Sequence, residues 1–254
     1  MISRKSPREI EAMRAAGRVV AAALRAVAER VAPQTTTSEL DRVAEEVIRR
    51  AGGVPLFKNY RLGNRPPYPC ATCISVNDEV VHGIPGSRRL VEGDIVSIDV
   101  GVRLGKYCAD AAVTLPVGRV SEAAQRLIGA CSRALEAGIA AARAGARLWE
   151  VSRAVQECAE ASGCSVVREY TGHGIGRRMH EDPQVPNFVP PHPRDLVLLE
   201  GMTLAIEPML TAGRPEVKEL ANQWTVVTVD GSLAAHFEHT IAVTANGGEV
   251  LTLL

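Results

Sequence analysis

The spacing of apolar residues along this chain changes three times, and the order of those changes restricts the fold more than any single residue does. Ile10, Met13, Gly17, Val20, Leu24, Val27 and Val31 recur every three or four positions and draw one stripe down a helix. Ser6-Pro7-Arg8-Glu9 supplies its start, a capping serine with proline at the first helical position and glutamate at the third, and Pro33 its stop. Thr36 to Glu39 is a second capping box, and Leu40, Val43, Val47 and Ile48 stripe a second helix that Gly52-Gly53 closes. After a run rich in proline, glycine and asparagine, Ile74 to His82 and Asp94 to Leu115 turn β-branched and alternating, which predicts sheet. Leu127, Ile128, Cys131, Leu135 and Ile139, then Leu148, Val151, Val155 and Cys158, restore the helical period as far as Gly163. Short apolar runs at Val166-Val167, Leu196 to Leu199, Thr203 to Glu207, Trp224 to Val229 and Phe237 to Thr244 predict strands again. Helix pairs set apart from strand hairpins favour an α+β fold with an antiparallel sheet over a doubly wound parallel one. The order also suggests two similar halves within one domain spanning 1–254, roughly 1–118 and 119–254, although no residue-level self-similarity marks a duplication.

Composition narrows the function classes. With 29 basic and 29 acidic residues the formal net charge is zero, so no global field draws the protein to nucleic acid or an anionic membrane. No run is long and apolar enough to span a bilayer, and Met1 to Arg30 is interrupted by charges too often to be a secretory signal. The six cysteines are scattered, which reads as reduced thiols in a cytoplasmic protein. Cys70-Ala71-Thr72-Cys73 has redox or zinc-knuckle spacing but no second pair nearby, so both thiols are read as packing residues. No long exposed apolar helix asks for a partner, and a monomer is expected.

The chemistry lies in carboxylates placed inside strands. Ile95 to Gly101 and Tyr107 to Val113 are two strands around a turn, and each carries one aspartate among apolar neighbours, Asp99 and Asp110. A turn centred between Leu104 and Gly105 would set the two directly opposite, with Cβ atoms roughly 4.5–5.5 Å apart. Bare carboxylates so close repel, and cations are the simplest remedy. Glu207 and Glu238 interrupt apolar runs in the same way, and alternation puts Glu238 with Thr240 on the face opposite Phe237, Ile241 and Val243. Four carboxylates in short strands can bind two divalent ions with their charges roughly balanced. Among the histidines, His173 sits in Thr171-Gly172-His173-Gly174-Ile175-Gly176, where small residues let a ligand approach closely, and His180 and His82 accompany it. His192 is read as an ordinary loop residue, and His236 and His239 as neighbours of the site that flank Glu238.

Six motifs, in order over nearly the whole chain, then resemble type I methionine aminopeptidases. They are Val81-His82-Gly83-Ile84-Pro85, Ser97-Ile98-Asp99-Val100-Gly101, Gly172-His173-Gly174-Ile175-Gly176, His180 to Asn187, Ile206-Glu207-Pro208 and Phe237-Glu238-His239-Thr240. The resemblance implies the pita-bread fold, two pseudo-symmetric halves around a dinuclear centre of Co²⁺, Mn²⁺, Fe²⁺ or Zn²⁺. It implies that Asp99, Asp110, His173, Glu207 and Glu238 are the metal ligands, Asp110 and Glu238 bridging, His173 and Glu207 on one ion and Asp99 on the other. It makes Glu207 the proton carrier for a water that the cations acidify. His82 and His180 become the pair that contacts substrate nitrogen and carbonyl oxygen. Tyr68, Cys73, Met179 and Trp224 are implied as walls of a methionine pocket, with Met179 in place of a phenylalanine frequent in the family. The segment Tyr60 to Pro67 is longer than the usual family loop, so no role is assigned to Tyr60. The implied substrates are the N-termini of nascent polypeptides near the ribosome exit tunnel, with a small second residue. Two rivals share the fold: a proline-specific aminopeptidase or prolidase, which usually carries a large extra N-terminal domain, and a non-catalytic pita-bread module, which would have lost metal ligands.

Overall fold

Both capping boxes close as written. In the computed structural model, which describes residues 2–192 and 196–253, the Ser6 hydroxyl accepts from the backbone of Glu9 while the Glu9 carboxylate accepts from the backbone of Ser6. This starts α1 (Pro7–Ala28). The same reciprocal pair between Thr36 and Glu39 starts α2 (Thr37–Arg50), after which Gly52 turns the chain with φ +73. The first helix ends at Ala28, so Val31 and Pro33 lie beyond it rather than terminating it.

The first strands follow: β1 (Val54–Pro55), β2 (Cys73–Val76), β3 (Glu79–Val81), β4 (Ile95–Leu104) and β5 (Tyr107–Pro116). A second helix pair, α3 (Glu122–Ala141) and α4 (Leu148–Ala161), precedes β6 (Ser165–Val166), β7 (Gly172–Gly174), β8 (Glu181–Val185) and β9 (Thr203–Ile206). The chain ends through β10 (Met209–Thr211), β11 (Val217–Glu219), β12 (Val226–Thr228), β13 (Ala234–His236), β14 (Glu238–Thr244) and β15 (Gly247–Val250). Leu196 to Leu199 makes only an isolated bridge, Val197 to Arg147. Its backbone groups are taken by the α3–α4 connection instead, through Leu148 N–H to Leu196 and Leu198 N–H to Ala146.

Nine strands form one sheet in the order β1-β4-β5-β14-β9-β7-β8, with β2 also on β4 and β15 also on β14, and every pairing is antiparallel. One face is apolar. Val96, Ile98, Val100, Ala109 and Ala111 pack under α1 and α2 with Val20, Val27, Leu40 and Ile48. Leu204, Ile206, Ile241 and Val243 pack under α3 and α4 with Leu127, Leu135, Val151 and Val155. Burying each of the larger of these side chains contributes roughly 1.5–3 kcal/mol. Because side chains alternate along a strand, the residues between them, Ser97, Asp99, Asp110, Ala112, Glu238 and Thr240 among them, are committed to the face away from the helices.

The β4–β5 register departs from expectation. Leu104 pairs with Tyr107, so the turn is the two residues Gly105-Lys106, with Gly105 at φ +60. Glycine at the first central position suits a two-residue hairpin turn and moves the hairpin's axis along the chain. Asp110 consequently lies opposite Gly101, and Asp99 opposite Ala112. The two aspartates are diagonal neighbours on one face, not a facing pair.

Candidate metal centre

Two alanines form the floor of the site. Ala112 of β5 is the register partner of Asp99 on one side and of Glu238 on the other, and Asp110 stands two residues along the same strand. Ala205 of β9 is likewise flanked by His173 and Thr240, and Glu207 stands two residues beyond it. Longer side chains on adjacent strands therefore lean over two methyl groups that leave them room. The glycines around His173 answer to backbone rather than to ligand. A Cβ on Gly172 would sit 2.3 Å from the Ala205 carbonyl oxygen, and one on Gly174 would sit 2.2 Å from that of Asp182. They let β7 slot between β8 and β9.

Asp110, His173 and Glu238 offer oxygen and nitrogen atoms that all lie within 4.8 Å of one another, and so do Glu207, His236 and Glu238. Asp99, Asp110 and Glu238 are buried, and each keeps one carboxylate oxygen with neither solvent nor a hydrogen bond. Unpaired buried carboxylate oxygens are costly, and a cation is the partner that several together can share. The Nδ1 of His173 lies 2.9 Å from the Gly174 carbonyl oxygen; donating a proton there leaves Nε2 as a lone-pair donor, 4.0 Å from Glu238 Oε1. The main chain of Asp110 is fixed by the Thr240 hydroxyl, which accepts from its N–H at 2.9 Å and donates to its carbonyl at 2.8 Å.

Electrostatics tell the same story. Burial, then the charges of Asp110 and Glu207, lifts Asp99 well above the ordinary carboxylate range. Burial and Glu207 lift Asp110 to about 7, and burial with the neighbouring acids lifts Glu238 well up. Burial acts to raise Glu207 too, but contact with His236 and the nearby His173 and His82 hold it below its ordinary value. In the metal-free protein the raised groups favour the protonated form. Their stabilisation is complete below the usual carboxylate pKa near 4 and is lost as pH rises through about 7, where Asp110 ionises. Thermal melts of metal-free protein should therefore rise in midpoint as pH falls from about 8 to about 7, above the range where the buried imidazoles, held below their ordinary pKa, would oppose the trend. Excess divalent cation should flatten or reverse that trend; a metal-free midpoint that falls steadily over the interval would contradict it.

The other expected residues meet in one cavity of about 470 Å³, which borders Asp99, Asp110, His173, Glu207 and Glu238. Tyr68, Cys73, Met179 and Trp224 form one buried apolar cluster there, joined by Phe57. Tyr68 is held by hydrogen bonds from its hydroxyl to the carbonyls of Gly83 (2.7 Å) and Thr72 (3.1 Å), and Trp224 by one from its indole to Pro66 (2.9 Å). His82 sits at φ +58, a backbone conformation unfavourable for a residue with a side chain, with its ring edge-on to Tyr170 and Trp224. Burial pushes its pKa down to about 4. His180 lies at the mouth with its ring centroid 4.4 Å from that of His173; desolvation in the cleft, then the charge of His173, shifts it downward. Both rings are thus neutral near pH 7.

Three residues around the cavity were not marked by the sequence. Tyr60, given no role because of the loop length, brings its hydroxyl to 2.9 Å from His180 Nδ1. Tyr170 packs on His82, and Phe57 completes the apolar wall. No local motif marks them; only their place beside the six motifs could have. His192 is exposed in its loop and does not line the cavity, whereas His239 points to the helix side and meets Thr252.

The turn carrying Met179 and His180 is braced from the N-terminal segment. Glu181 accepts from the backbones of Arg177 (2.8 Å) and Arg178 (3.1 Å) through one oxygen and from the nearly buried Lys5 ammonium (2.9 Å) through the other. Lys5→Met should cost roughly 1.5–3 kcal/mol, measured as a lower denaturation midpoint; an unchanged midpoint would show that the brace contributes nothing.

The pattern that defines metallopeptidase family M24 matches residues 11–245. Methionine aminopeptidase 1 of Bacillus subtilis is 48% identical over 254 residues, covering 99% of both chains. The chain belongs to the methionine aminopeptidases of family M24. A crystal structure of methionine aminopeptidase from Thermotoga maritima superposes with a TM-score of 0.95 at 45% identity, over 100% of both chains. Prolidase from Pyrococcus furiosus shares the fold alone, with a TM-score of 0.79 at 22% identity, and there the match spans 99% of this chain but 65% of the other. The α+β architecture is accordingly the pita-bread fold common to methionine aminopeptidases and prolidases. Membership of a metallopeptidase family implies divalent metal binding, and the orphaned carboxylate oxygens and the free imidazole nitrogen fit that requirement.

Proposed function

We propose that this protein removes the N-terminal methionine from nascent polypeptides and peptides whose second residue is small, at a dinuclear divalent centre. The observation that carries this reading is the convergence over Ala112 and Ala205 of buried acids and one imidazole, in a cavity that also has an apolar wall able to receive a thioether side chain. Asp99, Asp110, His173, Glu207 and Glu238 would hold the ions. The identity of the ions, Co²⁺, Mn²⁺, Fe²⁺ or Zn²⁺, is a matter of availability as much as of ligand type. When bound, such ions supply Lewis acidity and bring the pKa of the attacking water toward neutrality.

The chain's own residues do the rest. Tyr68, Cys73, Met179 and Trp224, with Phe57, enclose the methionine side chain and exclude water from it. That placement carries the first peptide bond to the carboxylates. Glu207, ionised at neutral pH, accepts the proton of the attacking water and returns it to the departing amine. His82 and His180, neutral near pH 7, reach the scissile nitrogen and carbonyl oxygen and stabilise charge as the tetrahedral intermediate forms. Tyr60 holds His180 from behind.

We read the chain as one catalytic domain with pseudo-repeated halves of roughly 1–118 and 119–254, working as a cytoplasmic monomer where N-termini emerge from the ribosome. None of its described helices is long and apolar enough to cross a membrane. The test is a peptide panel with Mn²⁺, Co²⁺ or Fe²⁺. Met-Ala-Ser should release methionine while Lys-Ala-Ser stays intact; preference for an X-Pro peptide would instead favour the prolidase reading.

A further inference from the structure

The long segment from Tyr60 to Pro67 is an anchored loop at the mouth of the cavity. Its base is closed by two backbone hydrogen bonds, Asn59 N–H to the Tyr68 carbonyl at 2.8 Å and Tyr68 N–H to the Tyr60 carbonyl at 2.9 Å. Within it the Arg65 N–H reaches the Leu62 carbonyl at 3.1 Å, closing a turn over Gly63-Asn64 in which Gly63 takes φ +56. The far side of the turn is fastened to the methionine wall. Arg65 pairs with Glu219 at 2.6 Å, donates to the Gln223 carbonyl at 3.1 Å and holds its guanidinium 5.7 Å from the centre of the Trp224 ring. The Pro66 carbonyl accepts from the indole of the same tryptophan at 2.9 Å. At the near end, the Tyr60 hydroxyl lies 2.9 Å from His180 Nδ1.

Leu62 is the side chain this loop presents to the opening. It borders the cavity that holds the carboxylates, yet it is 46% exposed. A scattered exposed leucine needs no explanation, but one held by a fastened turn at the rim of a substrate cavity is placed to meet what enters. The loop also lies on a defined side. It rests on Trp224, so it stands on the side of the cavity that receives the methionine side chain. In an extended peptide successive side chains point to opposite sides, and the first and third share one side, roughly 6.5–7 Å apart. The second side chain then points away from the loop, and the third points toward it. We propose, building on the methionine-removal reading, that Leu62 forms the apolar wall of a subsite for the third residue of the substrate. Peptides with an aliphatic third residue are then preferred over those with a small polar one.

The test compares kcat/KM for three tetrapeptides, Met-Ala-Leu-Ser, Met-Ala-Ser-Leu and Met-Ala-Ser-Ser, with the Mn²⁺-loaded full chain. One buried methylene is equivalent to roughly a fourfold change. Wild-type enzyme should therefore favour Met-Ala-Leu-Ser over Met-Ala-Ser-Ser by at least about fourfold. Met-Ala-Ser-Leu, with the leucine one place further along, should show no such advantage. In Leu62→Ser the preference should collapse toward one. Because each preference is a ratio within one preparation, it does not depend on how much of the variant is folded. A wild-type ratio near one, a preference that survives in Leu62→Ser, or an equal preference for Met-Ala-Ser-Leu would overturn the subsite while methionine release continued. Failure to release methionine from any of the three would overturn the methionine-removal reading and the subsite with it.

Discussion

Glu238→Gln is expected to lower kcat/KM by at least about a hundredfold while making the metal-free protein melt at a higher temperature. The two effects have one cause. Glu238 is buried beside Asp110, Glu207 and Asp99, and burial with those charges lifts its pKa well above the ordinary range. Without cations it must take up a proton or hold an uncompensated charge in a dry site, and an amide of the same shape needs neither. With cations it is one of the groups that would hold them, and the amide cannot replace the charge. Differential scanning calorimetry should show a higher metal-free midpoint and a much smaller rise on adding Mn²⁺ than in the wild type. A variant whose metal-induced stabilisation matched the wild type would remove Glu238 from the centre.

His180→Ala is expected to lower kcat about 10²–10⁴-fold with metal affinity preserved. Its ring packs against that of His173 and is backed by Tyr60, at the exposed mouth of the cavity where substrate would pass. Its contribution should therefore appear in the chemical step. Kinetics on Met-Ala-Ser, with calorimetric metal titration of the same preparation, separates the two quantities. If the loss of rate were accompanied by an equal loss of metal affinity, His180 would be supporting the ligands rather than the substrate. Tyr60→Phe should act in the same direction and more mildly, since it removes one hydrogen bond to the ring and not the ring itself.

Much of this arrangement could be read from the chain because it follows local rules. Ser6 with Glu9 and Thr36 with Glu39 announce helix starts by chemistry confined to four residues, and both closed. Strand alternation put Glu238 and Thr240 on the face opposite Ile241 and Val243, where the structure has them. The failures come where a distant partner decides. The β4–β5 turn depended on which central position Gly105 occupies, and a one-residue error in the turn's centre turned a diagonal pair of aspartates into a facing one. Leu196 to Leu199 is a short apolar run whose backbone partners lie in the α3–α4 connection, and no local pattern distinguishes that from a strand. Tyr60 lies 120 positions from His180 and carries no motif of its own. His236 was noticed only as a neighbour of Glu238, because its closeness to Glu207 depends on how β10 and β13 pair. Ala112 and Ala205, the floor of the site, are invisible to any search for reactive side chains.

The central claim is that acids from β4, β5, β14 and the end of β9, with the imidazole of β7, surround divalent cations. Anomalous diffraction from crystals soaked in Mn²⁺ tests it most directly. Two peaks inside the space bounded by Asp99, Asp110, His173, Glu207 and Glu238 are expected, within coordination distance of their oxygen and nitrogen atoms. Carboxylates turned away from one another, with no anomalous density between them at saturating Mn²⁺, would contradict it.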